Sequence, residues 1–153
     1  MLSDDSEVAA NALHAISCIV RGFEPALAAF IDMGGLECLL GLIHTNENNK
    51  IMVKSMFLIN SFTQDFPPVG VELVKLNAVE RVIATIQPKD EYDTRLEQTL
   101  AALTSLIASN DAIEKCRVEN LKLRDKLDRV ISLGTGKPEC EVSRSPLLSH
   151  VSI

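Results

Sequence analysis

Apolar residues recur along this chain at the three-to-four-residue spacing of α-helices, in blocks separated by glycine, proline or asparagine. The first block opens at Asp4, with Glu7 three residues on as a reciprocal acid in the manner of a capping box. Val8, Ala12, Ile16, Ile19 and Val20 then keep the helical period up to Arg21, and Gly22 is the expected stop. Pro25 suits the first turn of a second helix, where its missing N–H has no partner to lose. Gly34-Gly35 ends that helix, because a left-handed residue closes it there without a Cβ clash. Leu36, Leu39, Leu40 and Ile43 mark one face of a third helix, 46–49 a polar loop, and 50–65 a long helix. The cycle restarts at Pro67-Pro68. Its short helix reaches Asn77, 43 residues after Gly34 and the other residue type that tolerates a left-handed cap. Val79, Val82, Ile83 and Ile86 repeat the apolar face of the third helix at the same offset. Residues 88–93 read as a loop, 94–109 as another long helix and 111–133 as a final helix pair. The breaker cluster Gly134-Thr135-Gly136-Lys137-Pro138 ends the pattern, and the Ser-rich stretch 134–153 is expected to be a flexible, disordered tail.

The blocks are copies of one unit. Ala15-Ile16-Ser17-Cys18-Ile19 returns as Leu58-Ile59-Asn60-Ser61-Phe62 and again as Ala102-Leu103-Thr104-Ser105-Leu106, at steps of 43 and 44 residues. A period of about 40–47 residues belongs to stacked helical repeats. A short, a medium and a long helix per unit is the armadillo plan, whereas HEAT units have two helices. The expected fold is therefore all-α, an armadillo-like right-handed superhelix of three-helix repeats over 4–133. The helix at 4–21 stands as the last of an incomplete first repeat. Its apolar residues fall on nearly every side (Val8-Ala9-Ala10, Leu13, Ala15, Ile16), as expected of a solenoid that has lost its leading helices.

Charge and composition narrow the partners. The formal net charge of −6 supplies no general basic field for nucleic acid and disfavours anionic membranes. Aromatics are 4% of residues with no Trp, so the core must be aliphatic. The acidic start lacks the apolar run of a secretory signal, and no apolar run approaches the roughly 18 residues of a membrane span. Cys18, Cys38, Cys116 and Cys140 have no CxxC spacing and read as intracellular free thiols, which makes a cytoplasmic location the expectation.

A closer resemblance rests on three segments. Ala12-Leu13-His14-Ala15-Ile16-Ser17-Cys18-Ile19-Val20-Arg21 resembles a long helix of the armadillo-type nucleotide exchange factors of the 70-kDa heat-shock chaperone, a family with cytosolic and endoplasmic-reticulum members. Val53-Lys54-Ser55-Met56-Phe57-Leu58 resembles the next long helix, and Cys116-Arg117 with the Leu-rich helix after it resembles the capping segment. The likeness covers about 6–133 and corresponds to the C-terminal part of that family's domain. It implies a co-chaperone that wraps a concave face around the chaperone's ATPase domain and loosens ADP without binding nucleotide itself. The alternative is an armadillo interaction scaffold without exchange activity, owing to missing N-terminal repeats.

In a three-helix solenoid the long helices line the inner face, and residues three and four apart share a helix side. Alignment of the three long helices gives partner-binding candidates His14, Ser17, Cys18 and Arg21 in the first. The second gives Lys54, Phe57, Asn60, Ser61 and Gln64, and the third Glu97, Ala101, Thr104 and Ser105. Arg21 and Lys54 lead the set as cations aligned on one face; Phe57 has core packing as its alternative. Armadillo proteins of the importin-alpha and beta-catenin types hold extended peptides on a ladder of Asn flanked by Trp. The ladder positions here are Cys18, Ser61 and Ser105, which lack the paired donor and acceptor of an amide, so a folded partner is favoured.

Catalytic and metal-binding patterns are sparse. His14, His44 and His150 are far apart, and no pair has the i, i+4 spacing of a zinc helix. Asp4-Asp5 and Asp90-Glu91 read as solvated charges at helix starts. Gly134-Thr135-Gly136-Lys137 lacks both the spacing of a phosphate-binding loop and a preceding strand. The expectation is a binding protein, not an enzyme, with no cofactor and no metal.

Overall fold

The computed structural model describes residues 2–45, 49–87 and 94–108, with 125, 126, 128, 129 and 132 beyond them. Among these there are seven helices and no strand, so the fold class is all-α. They are α1 (Leu2–Val20), α2 (Glu24–Asp32), α3 (Gly35–Thr45), α4 (Asn49–Asp65), α5 (Pro67–Lys75), α6 (Ala78–Thr85) and α7 (Thr94–Ile107).

The internal repeat holds down to single hydrogen bonds. Phe23 and Phe66 both precede a proline-bearing helix with closely similar backbone angles, φ −129° and ψ 90° against φ −136° and ψ 82°. Each carbonyl accepts from the amide three residues on: Ala26 N–H to Phe23 O at 3.1 Å, Val69 N–H to Phe66 O at 2.9 Å. At the other end of α2 and α5 the chain turns through Gly34 at φ 76° and Asn77 at φ 61°. Their amides close the preceding helices on Ile31 O and Val74 O at 2.9 and 3.1 Å. Their own carbonyls begin α3 and α6 by accepting from Cys38 and Arg81, both at 3.1 Å. Asparagine serves where glycine served because both enter the left-handed region at low cost.

The long helices form one row, with α4 packed between α1 and α7. The medium helices α3 and α6 stack on each other, and each also packs on the long helix of its own unit. Leu36, Leu39, Leu40 and Ile43 of α3, and Val79, Val82 and Ile83 of α6 with Ile86 just after it, are all at most 1% exposed. Phe62, Met56 and Ile59 of α4 complete the centre of the core. Lys126 reaches this body as well, donating from Nζ to Ile83 O near the end of α6 at 2.8 Å.

Three boundaries differ from the sequence reading. α1 begins at Leu2, not at Asp4, so the expected cap lies inside the first turn. Acidic residues in a first turn still suit the positive end of the helix dipole, without a cap at Asp4. α4 begins one residue early, at Asn49, and α7 ends at Ile107. The loop at 88–93, the tail at 134–153 and nearly all of the helix pair at 111–133, with Cys116 and Cys140, lie outside the described residues. Among the described residues no single helix is long and apolar enough to cross a membrane.

Candidate functional site

The thirteen candidate residues lie on or next to the row α1, α4, α7, but they divide into two seams with different chemistry. The seam between α1 and α4 is open. A groove of about 290 Å³ is lined by Leu13, His14 and Ser17 of α1, Val53, Lys54, Phe57 and Leu58 of α4, and Gln98 of α7. Arg21, just past the end of α1, stands over the Phe57 ring with its guanidinium carbon 4.9 Å from the ring centroid. Phe57 is 38% exposed, so it is a surface aromatic and not core. A guanidinium stacked on a ring keeps its in-plane N–H donors available at the edge. Among the described residues neither Arg21 nor Lys54 has a carboxylate partner. Cys18 is an exposed free thiol with its sulfur 3.9 Å from His14 Nε2.

The seam between α4 and α7 is tied by side-chain hydrogen bonds, with a separate groove of about 240 Å³ on its α5 side, lined by Thr63, Gly70, Val71 and Ser105 among others. The Ser105 hydroxyl donates to Asn60 Oδ1, and Gln64 Nε2 donates to Ser105 Oγ at 3.3 Å. Three residues expected to meet a partner therefore bind one another and tie the two helices together. Thr104 turns its hydroxyl onto its own helix, donating to Leu100 O at 2.8 Å. Ala101 is half-buried and Glu97 exposed, and neither lines the groove.

Ser61 departs from the expected surface. It is 7% exposed and donates to Asp65 Oδ2 at 3.1 Å. The cause is the position of α4 in the middle of the row: neighbours on both sides cover its flanks and leave a narrower exposed strip than on α1. Four lining residues, Leu13, Val53, Leu58 and Gln98, escaped the sequence reading of the site. Gln98 precedes Ala101 and Ser105 by three and seven residues, so its spacing already placed it on their side of α7. Val53 is four residues before Phe57, but an apolar residue at helical spacing reads as core.

No family model matches the chain. It is 30% identical over 121 residues to the proteins named Hsp70-binding protein 1 of human, mouse and rat. The aligned region covers 78% of this chain and 33% of each relative, so the chain spans about a third of the length of the curated relatives it matches.

Proposed function

We propose that this chain is a co-chaperone that binds the ATPase domain of a 70-kDa heat-shock chaperone through the α1–α4–α7 row and promotes release of ADP. The observation that carries the reading is the 30% identity to Hsp70-binding protein 1 across 78% of the chain. The relatives' name says that they bind Hsp70. The repeated units fit an armadillo-like right-handed superhelix whose inner, concave side is the long-helix row. On this reading the chain is cytoplasmic, acts without a cofactor and catalyses no chemistry of its own.

The mechanism is linkage. A factor that binds the open form of the ATPase domain better than the closed form shifts that equilibrium by the difference in affinity and no more. A hundredfold acceleration of ADP release requires about 2.7 kcal/mol of that preference at the rate-limiting opening. Reciprocity then requires ADP to weaken binding of the factor.

The test is stopped-flow release of fluorescent ADP from a purified chaperone ATPase domain, with the chain in excess. The expected result is acceleration that saturates with concentration, and binding that weakens when ADP is added. Binding with an unchanged release rate would leave the interaction scaffold in place of the exchange factor. Absence of binding at high micromolar concentration would remove both.

A further inference from the structure

We infer that the groove between α1 and α4 receives an acidic segment of the partner protein, one apolar side chain entering the groove and an adjacent carboxylate bridging Arg21 and Lys54. The inference rests on the chaperone-binding reading and names the chemistry of the contact. Size is the first argument. At about 290 Å³ the groove is just below the roughly 300–1,000 Å³ of small-molecule and cofactor sites, and it suits a side-chain anchor. Leu13, Val53 and Leu58 supply apolar wall, so the group that enters is apolar.

Charge is the second argument. The protein as a whole carries −6, yet among the described residues no carboxylate lines the groove, with Lys54 on its wall and Arg21 over the Phe57 that lines it. Lys54 and Phe57 are three residues apart on α4 and so share a side of the helix. Both cations lack a carboxylate partner among the described residues. The Phe57 ring holds the Arg21 guanidinium in place, which lowers the cost of fixing it for a two-point bond to a carboxylate. The polar groups of the neighbouring seam are already joined to one another. A polyanion such as nucleic acid or an anionic membrane would meet these two cations but also the negative charge of the rest of the protein. A single carboxylate on an apolar anchor meets only the rim.

The test is binding of the full chain to the chaperone ATPase domain by calorimetry, at about 0.05 and 0.5 M salt, where screening differs severalfold. Lys54→Glu and Arg21→Glu are each expected to weaken binding about tenfold or more. Lys54→Met keeps the stem and removes the charge, and it should flatten the salt dependence. Ser17→Leu keeps every charge and fills the groove, and it should weaken binding about as much as the reversals. Lys75→Glu carries the same charge change on α5, where Lys75 pairs with Glu72, and should leave affinity within about twofold. Thermal melts of each variant separate loss of fold from loss of contact. Wild-type binding that survives both reversals and the filled groove would overturn the inference and leave the chaperone reading intact. A loss with Lys75→Glu as large as with Lys54→Glu would overturn it too, because net charge and not the groove would then govern binding. Failure of the wild type to bind would overturn both readings.

Discussion

Replacing Gly35 with alanine should destabilise the protein by about 1–3 kcal/mol, because the added methyl group has no room. Gly35 is buried at the first position of α3. A Cβ there would lie 2.5, 2.5 and 2.6 Å from three ring carbons of Phe30. Carbon atoms in contact sit at roughly 3.5–4.0 Å, so the ring must withdraw by about 1 Å. Phe30 is in a tilted pair with Phe62, centroids 5.9 Å apart at 57°, and Phe62 is fully buried. Retreat toward Phe62 overpacks the core; retreat away from it forfeits an aromatic pair worth about 0.5–1.5 kcal/mol. The smaller entropy of the unfolded alanine chain returns only about 0.4–1 kcal/mol. With a urea m-value of about 1–3 kcal/mol per molar, the unfolding midpoint followed by circular dichroism should fall by about 1 M. Gly41 supplies the control, because it lies within the same helix and a Cβ there meets nothing within 4 Å. Gly41→Ala should therefore stabilise by about 0.5–1 kcal/mol. Trimming the obstructing ring, as Phe30→Leu, should shrink the penalty of Gly35→Ala through direct coupling of the two sites. If Gly35→Ala proves as stable as Gly41→Ala, the close approach of α2 and α3 is not real and the reasoning fails.

Two further positions probe the repeat itself. Ser55 is fully buried on α4 and among the described residues its hydroxyl has no hydrogen-bond partner, a situation that costs about 1–3 kcal/mol; Ser55→Ala should raise the melting temperature by about 2–4 °C per kcal/mol recovered, and a lower one would mean that the hydroxyl is bonded. Asn77 holds φ 61°, so Asn77→Gly should be neutral or stabilising while Asn77→Val should cost about 2 kcal/mol in chemical denaturation; equal stability of the two variants would refute the left-handed cap.

The repeat was legible in the sequence because its signals are local. A proline needs the first turn of a helix, a left-handed cap needs glycine or asparagine, and an aliphatic face needs residues three and four apart. Pro25 and Pro67, Gly34 and Asn77, and the Leu36 and Val79 faces all satisfy these rules within a single helix or its junction. The site was less legible because its properties depend on neighbours in space. Helical spacing put Phe57 and Ser61 on the same side of α4, but only the approach of the flanking helices decides that Phe57 is exposed and Ser61 buried. Likewise Asn60, Gln64 and Ser105 each read as a free polar group. Their bonds cross from α4 to α7 over 45 and 41 positions of sequence, and no periodicity within one helix encodes that pairing.

The two seams also explain how a repetitive backbone can carry one specific surface. Equivalent positions on successive long helices have the same place in the unit, so a site common to all of them would bind without register. The row escapes this by departing from its own repeat. Where the first unit has Arg21, the second has Gln64 and the third Ala108. Where the second has Lys54, the first has Asn11 and the third Gln98. The two cations therefore belong to different units, and both lie by Phe57: Lys54 three residues before it on α4, Arg21 over its ring from the end of α1. At the next seam the same geometry carries amides and a hydroxyl, which satisfy each other and fasten α7 to α4. Among the described residues, the α4–α7 seam is thus tied by side-chain hydrogen bonds while the α1–α4 groove keeps two cations without a carboxylate partner. A partner that needs both the apolar groove and the two cations would find them together at the α1–α4 seam, and that would set its register along the repeat.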